Sequence, residues 1–111
     1  MGDDSLARVV FACALVCAGF GAHAQPQLIC GRDGTGKTWC IDLMATHENG
    51  SGQRLSPLYA GNERVAHPTG HVARANCQTR TMDFLQTGRP FWSAAFTQSA
   101  LADRLGAAMC D

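Results

Sequence analysis

Two periodicities run along the chain. At the C-terminal end, Leu101, Leu105 and Met109 recur at i, i+4, i+8 within "SALADRLGAAMC". That spacing predicts a helix with one apolar stripe facing a core, and Ser99 stands where an N-cap belongs. Gly106 weakens its middle by about 1 kcal/mol relative to Ala. Elsewhere the pattern is short and strand-like. "QLIC" and "KTWCIDLM" are apolar runs divided by Gly and Asp, which predicts a hairpin. "FWSAAF" predicts a further strand. In "GHVARANCQTRTMDF", Ala73, Ala75, Cys77 and Thr79 alternate with Val72, Arg74, Asn76 and Gln78. A strand with the small, apolar set inward fits this pattern, and a short helix is the alternative. Between Thr46 and Gly70 the chain is rich in glycine, carries Pro57 and Pro68, and is expected to be irregular. Within it "RLSPLYA" is expected at a sheet edge, because Pro57 cannot donate to a ladder. The predicted fold class is α+β: a small antiparallel β-sheet with one C-terminal α-helix and two disulfides.

The N-terminal stretch sets the compartment. "LARVVFACALVCAGFGAHA" has an early Arg8, an apolar run from Val9 to Phe20 and Ala22-His23-Ala24 after it. This is the layout of a secretory signal with an A-x-A cleavage site, although Asp3 and Asp4 are atypical of one. The run is shorter than the roughly 20 residues of a membrane span. Residues 1–24 are therefore expected to be a signal peptide and 25–111 a single domain. No membrane insertion is expected after cleavage, and the location is expected to be periplasmic or secreted. Cys17 follows Val16 and Cys13 sits early in the run, so neither suits lipidation.

Six cysteines are present, and four lie beyond the signal: Cys30, Cys40, Cys77 and Cys110. An even number in a short exported domain predicts disulfides, which stabilise a core that is marginal at this size. The turn chemistry of Asp33-Gly34-Thr35-Gly36 sets Cys30 opposite Cys40, with opposed residues summing to 70 and Gly36 in the left-handed place. Cys77 then pairs with Cys110, tying the helix to the sheet.

Gly31 to Thr38 matches the phosphate-loop pattern G-x-x-x-x-G-K-[ST]. A working phosphate loop needs a helix after it and a parallel sheet around it. Here Trp39-Cys40-Ile41-Asp42-Leu43 favours strand. The segment is expected to be a hairpin turn, with Lys37 solvated and no nucleotide bound.

The other candidate chemistry is sparse. His67 and His71 stand four apart, but Pro68 and Gly70 between them indicate a loop rather than a metal-binding helix face. With His47 they offer a conceivable three-histidine site. The gaps between the four cysteines do not suit zinc. Asp42, Glu48, Glu63 and Asp83 are scattered. Trp39, Phe91, Trp92 and Phe96 are expected in the core. No cofactor, metal or catalytic residue is assigned. Lys and Arg number nine against nine Asp and Glu, so no basic stripe points to nucleic acid.

Within Asn76 to Asp111, Cys77, Trp92, Ser99, Leu105 and Cys110 give a pattern of strand Cys, Trp, Ser-initiated helix and terminal Cys. This C-terminal half resembles the surface-adhesin protein E-like family of secreted bacterial proteins. The resemblance implies an antiparallel sheet with a helix tied to it by a disulfide and a cell-surface or periplasmic location; in the family's founding member the role is adhesion to host proteins, while most relatives have no known activity. The family's usual Pro before the helix Ser is replaced by Gln98. Together these features predict a small exported binding or interaction domain without catalysis, with a protein partner. Two alternatives are an inhibitor of a periplasmic or host enzyme, such as a protease or lysozyme, and a small metal-binding protein or enzyme using the loop histidines.

Overall fold

The computed structural model describes residues 26–111, so the expected signal peptide lies outside the described residues. Among the described residues seven antiparallel strands form one sheet: β1 (Leu28–Arg32), β2 (Thr38–Asp42), β3 (His47–Glu48), β4 (Gln53–Gly61), β5 (Ala66–Asn76), β6 (Thr81–Gln86) and β7 (Arg89–Ala95). The order is β1-β2-β4-β5-β6-β7, with the two-residue β3 also on β4. A helix, α1 (Ala100–Cys110), follows β7 after a short 3₁₀ turn at Phe96–Gln98.

The sheet is strongly curled. Trp39 on β2 and Phe84 on β6 are three strand spacings apart, about 14 Å in a flat sheet. Their ring centroids are 5.3 Å apart. The concave side thus closes on itself, and α1 lies within it. Leu101, Ala102, Leu105 and Met109 of α1 pack with Ile41, Leu58, Ala73, Ala75, Met82, Phe84 and Phe96. Ser99 caps the helix, its hydroxyl accepting from the Ala102 N–H at 3.1 Å. On the outward side Arg74 donates to Asp83 at 2.8 Å, and Ser93 donates to the same carboxylate.

Both disulfides are formed. Cys30 faces Cys40 in a register whose opposed pairs all sum to 70, with the Cα atoms 4.0 Å apart. Cys77, just after β5, is bonded to Cys110 at the end of α1.

The expectation of a small α+β sheet is corrected. About half of the described residues are strand, so among them the fold is sheet-dominated with one appended helix. The difference lies in 46–70, expected to be irregular but folded as β3, β4 and the first half of β5. Nor is β4 an edge strand: it sits between β2 and β5. Pro57 is tolerated there because the β2 pairing ends at Ile41↔Leu58 and that of β3 begins at His47↔Leu55. Opposite this gap the Asp42 N–H donates to the Ser56 hydroxyl at 3.0 Å, so a side chain replaces the missing ladder bond. The glycines fall at breaks: Gly61 (φ 134°) sits at the β4–β5 hairpin, where a Cβ would come within 2.2 Å of the Val65 carbonyl oxygen.

Candidate functional site

The β1–β2 tip is built around Asp33. Its Oδ1 accepts from the Thr35 N–H (2.8 Å), the Thr35 hydroxyl (2.7 Å) and the Lys37 N–H (3.0 Å). Its Oδ2 accepts from Trp39 Nε1 at 2.9 Å. These bonds favour the charged form, so the Thr35 hydroxyl first, then the Trp39 indole, hold the carboxyl well below the usual carboxylate range. Gly36 takes φ 90°, the left-handed conformation that suits a three-residue hairpin loop. The phosphate-loop pattern is thus a hairpin turn: two of the N–H groups between Gly34 and Lys37 already point at a carboxylate of the chain itself. Lys37 is exposed beside the turn, as expected from the sequence, but it also has a neighbour. Its ammonium lies 4.1 Å from the centroid of the Trp39 ring.

The curl brings this tip opposite β7. Between them opens a cleft of about 570 Å³, with Arg32, Asp33 and Gly34 on one wall, Trp92 and Ala94 on the other, and Ser99 and Leu101 of the helix start as its floor. A smaller slot of about 190 Å³ adjoins it, sharing Asp33, Trp92 and Leu101 and adding Trp39, Phe84 and Phe91. The rings form one cluster: Phe84 lies 4.6 Å from Trp92 and 6.1 Å from Phe91, and Trp39 lies 6.3 Å from Phe91, centroid to centroid. Phe91 is 44% exposed, so the expectation that it belongs to the core is corrected. Its ring stands at the mouth because the β6–β7 register shifts between Phe84 and Leu85 and leaves Phe91 outside the paired positions. Trp92 is half-buried.

The three candidate histidines are not one site. His47 and His71 border a shallow apolar groove with Leu55, Pro57 and Val72, whereas His67 lies apart, opposite Ala60. The His71 ring meets the edge of Phe91 at 5.1 Å. Among the described residues no hydrogen bond or ion pair joins His67 or His71 to a carboxylate, and no three His, Cys, Asp or Glu side chains are grouped to hold a metal. The four cysteines bind one another. Sequence reasoning missed Asp33 and Phe91 as site residues. The D-G-T-G run marked Asp33 as a turn former, but nothing local places Trp92 across from it.

No family model, characterised protein or solved structure matches the chain. The two disulfides indicate an oxidising, extracytoplasmic environment. Among the described residues no helix is long and apolar enough to cross a membrane.

Proposed function

We propose that this chain is a small exported bacterial binding domain, periplasmic or secreted, that engages a protein partner and performs no catalysis. One observation carries this reading: a braced, exposed hairpin tip stands beside an open aromatic cleft. Gly34, Thr35 and Gly36 are exposed, yet the turn is braced on Asp33: its carboxylate accepts from the Thr35 and Lys37 N–H groups, the Thr35 hydroxyl and the Trp39 indole, and its carbonyl accepts from the Gly36 N–H. A pre-ordered tip loses little conformational entropy on binding, and aromatic rings at a cleft mouth provide anchoring surface. The protein E-like resemblance of 76–111 adds adhesion to host proteins to the proposal.

The test is capture of extracellular and periplasmic proteins on the immobilised domain (residues 25–111), compared with its Thr35→Arg variant. A partner retained by the native domain and lost by the variant is the expected result. Equal retention by both would remove the tip from the interface. A second reading, inhibition of a protease or lysozyme, is favoured by the same tip, since an inhibitor presents a rigid exposed loop. Assaying both enzyme classes with the native and Thr35→Arg domains separates the two: only an inhibitor slows turnover.

A further inference from the structure

We propose that the slot between Trp39, Phe84, Phe91 and Trp92 receives a single cationic side chain, a lysine or arginine, presented by the protein partner. This rests on the reading above that the chain binds a protein. Three features carry it. Aromatic faces present negative potential, and of the four rings that line the slot Phe91 and Trp92 carry the exposed surface, backed by the buried Trp39 and Phe84. One ring of the slot, Trp39, already carries a cation, the Lys37 ammonium 4.1 Å from its centroid, which shows that these rings attract cations and leaves Phe91 and Trp92 as the faces for a partner's cation. Asp33 lines the slot with the rings, and its two oxygens are used unequally. Oδ1 accepts three hydrogen bonds, whereas Oδ2 accepts only that of Trp39 Nε1, so an acceptor position remains on the oxygen nearer the rings.

The spare acceptor favours a donor cation. A primary ammonium or a guanidinium can give Oδ2 a hydrogen bond, and a quaternary ammonium cannot. A lysine or arginine side chain is therefore favoured over a choline headgroup. The surrounding charges limit the rest of the partner. Arg32 lines the adjoining cleft and Lys37 flanks the tip. A densely basic segment would meet both, whereas one basic residue with neutral or acidic neighbours would not.

The probe is the blocked tripeptide acetyl-Gly-Lys-Gly-amide, titrated into the domain while tryptophan fluorescence is followed. Its controls are the norleucine analogue, which has no charge, and choline. The lysine peptide is expected to saturate with a Kd on the order of 1 mM. Norleucine and choline should each bind about tenfold more weakly, the loss of one desolvated cation contact or one charge-assisted hydrogen bond. Phe91→Leu keeps apolar volume but removes a π face at an exposed position. It should weaken the lysine peptide about threefold to tenfold with an unchanged melting temperature. Asp33→Asn should weaken it further. Equal binding of the norleucine analogue, or no change in Phe91→Leu, would overturn the proposal. Choline binding tighter than lysine would do so too, by assigning the slot to a lipid headgroup. A domain that captures its partner equally well with Phe91→Leu, yet ignores the peptide, would keep the binding function and lose the slot. Peptide binding without any captured partner would do the reverse.

Discussion

Phe96 is almost fully buried, and Gly106 lies directly under it: a Cβ at position 106 would fall 2.2 Å from the ring. The Arg80 guanidinium lies 4.8 Å from the same ring's centroid. Helix propensity alone predicts that Gly106→Ala stabilises α1 by about 1 kcal/mol. Steric overlap in a packed core costs about 1–3 kcal/mol. The overlap is with a rigid aromatic, which puts the cost at about 2–3 kcal/mol, so the variant is expected to lose about 1–2 kcal/mol net. Urea unfolding measures it. Because the two residues touch, the loss should shrink in a Phe96→Leu background. Asp33 supplies a second prediction at this scale. Its folded-state pKa is lowered, so its contribution is present above the unfolded value and is lost as pH falls through the folded one. Between about pH 5 and pH 2 the native domain should therefore lose more stability than Asp33→Asn, which has no charge to lose. Parallel urea curves at the two ends of that window show the difference, and equal losses would remove the carboxylate from the turn's energetics.

At the scale of elements, the two disulfides differ in what they close. Cys30–Cys40 spans 10 residues within a hairpin already set by turn chemistry, and Cys77–Cys110 spans 33 and joins helix to sheet. Chain-entropy reasoning gives about 3 kcal/mol for the short loop and about 4 kcal/mol for the long one. Replacing Cys77 and Cys110 together by Ala is expected to cost more than replacing Cys30 and Cys40, and to loosen α1 first. Amide hydrogen exchange along Ala100–Cys110 would report this, with the β1–β2 amides less affected. The hairpin and the helix were legible because their determinants are neighbours in sequence: Asp33 and Gly36 in the turn, Ser99 at the cap, Leu101, Leu105 and Met109 on one face. β4 was not. Pro57 is a valid argument against a central strand only where its neighbour continues past it. Here the pairing with β2 stops one residue short, at Ile41↔Leu58, and the Ser56 hydroxyl accepts from the buried N–H of Asp42.

The whole molecule is governed by its curl. Phe84, 1% exposed, touches Trp39, Phe91 and Trp92 and so joins strands from both halves of the sheet. Phe84→Ala should cost about 3–5 kcal/mol, at the upper range for buried aromatics. The same change empties the wall of the slot, so any variant that remains folded should also lose the lysine peptide. A fully folded Phe84→Ala with native stability would mean that the rings are not what holds the curl. The cleft exists because the curl does not close: β1 and β7 are the two ends of the strand order, and the space between them is partly filled by the start of α1.

By itself the sequence determined the local and covalent facts. Turn residues, cap and apolar stripe act within one or two turns of chain, and an even set of cysteines in a small domain limits the pairings. The curl was decided only in the tertiary structure. It depends on contacts between residues such as Trp39 and Phe84, far apart in sequence and on non-adjacent strands. The same holds for the site. Asp33 is legible as a turn former, but it faces Trp92 and Phe91 only because the sheet bends the β1–β2 tip round to β7. Local patterns set which face of a strand is apolar; how far the sheet folds over that face is fixed by the volume of the rings and the helix it must enclose.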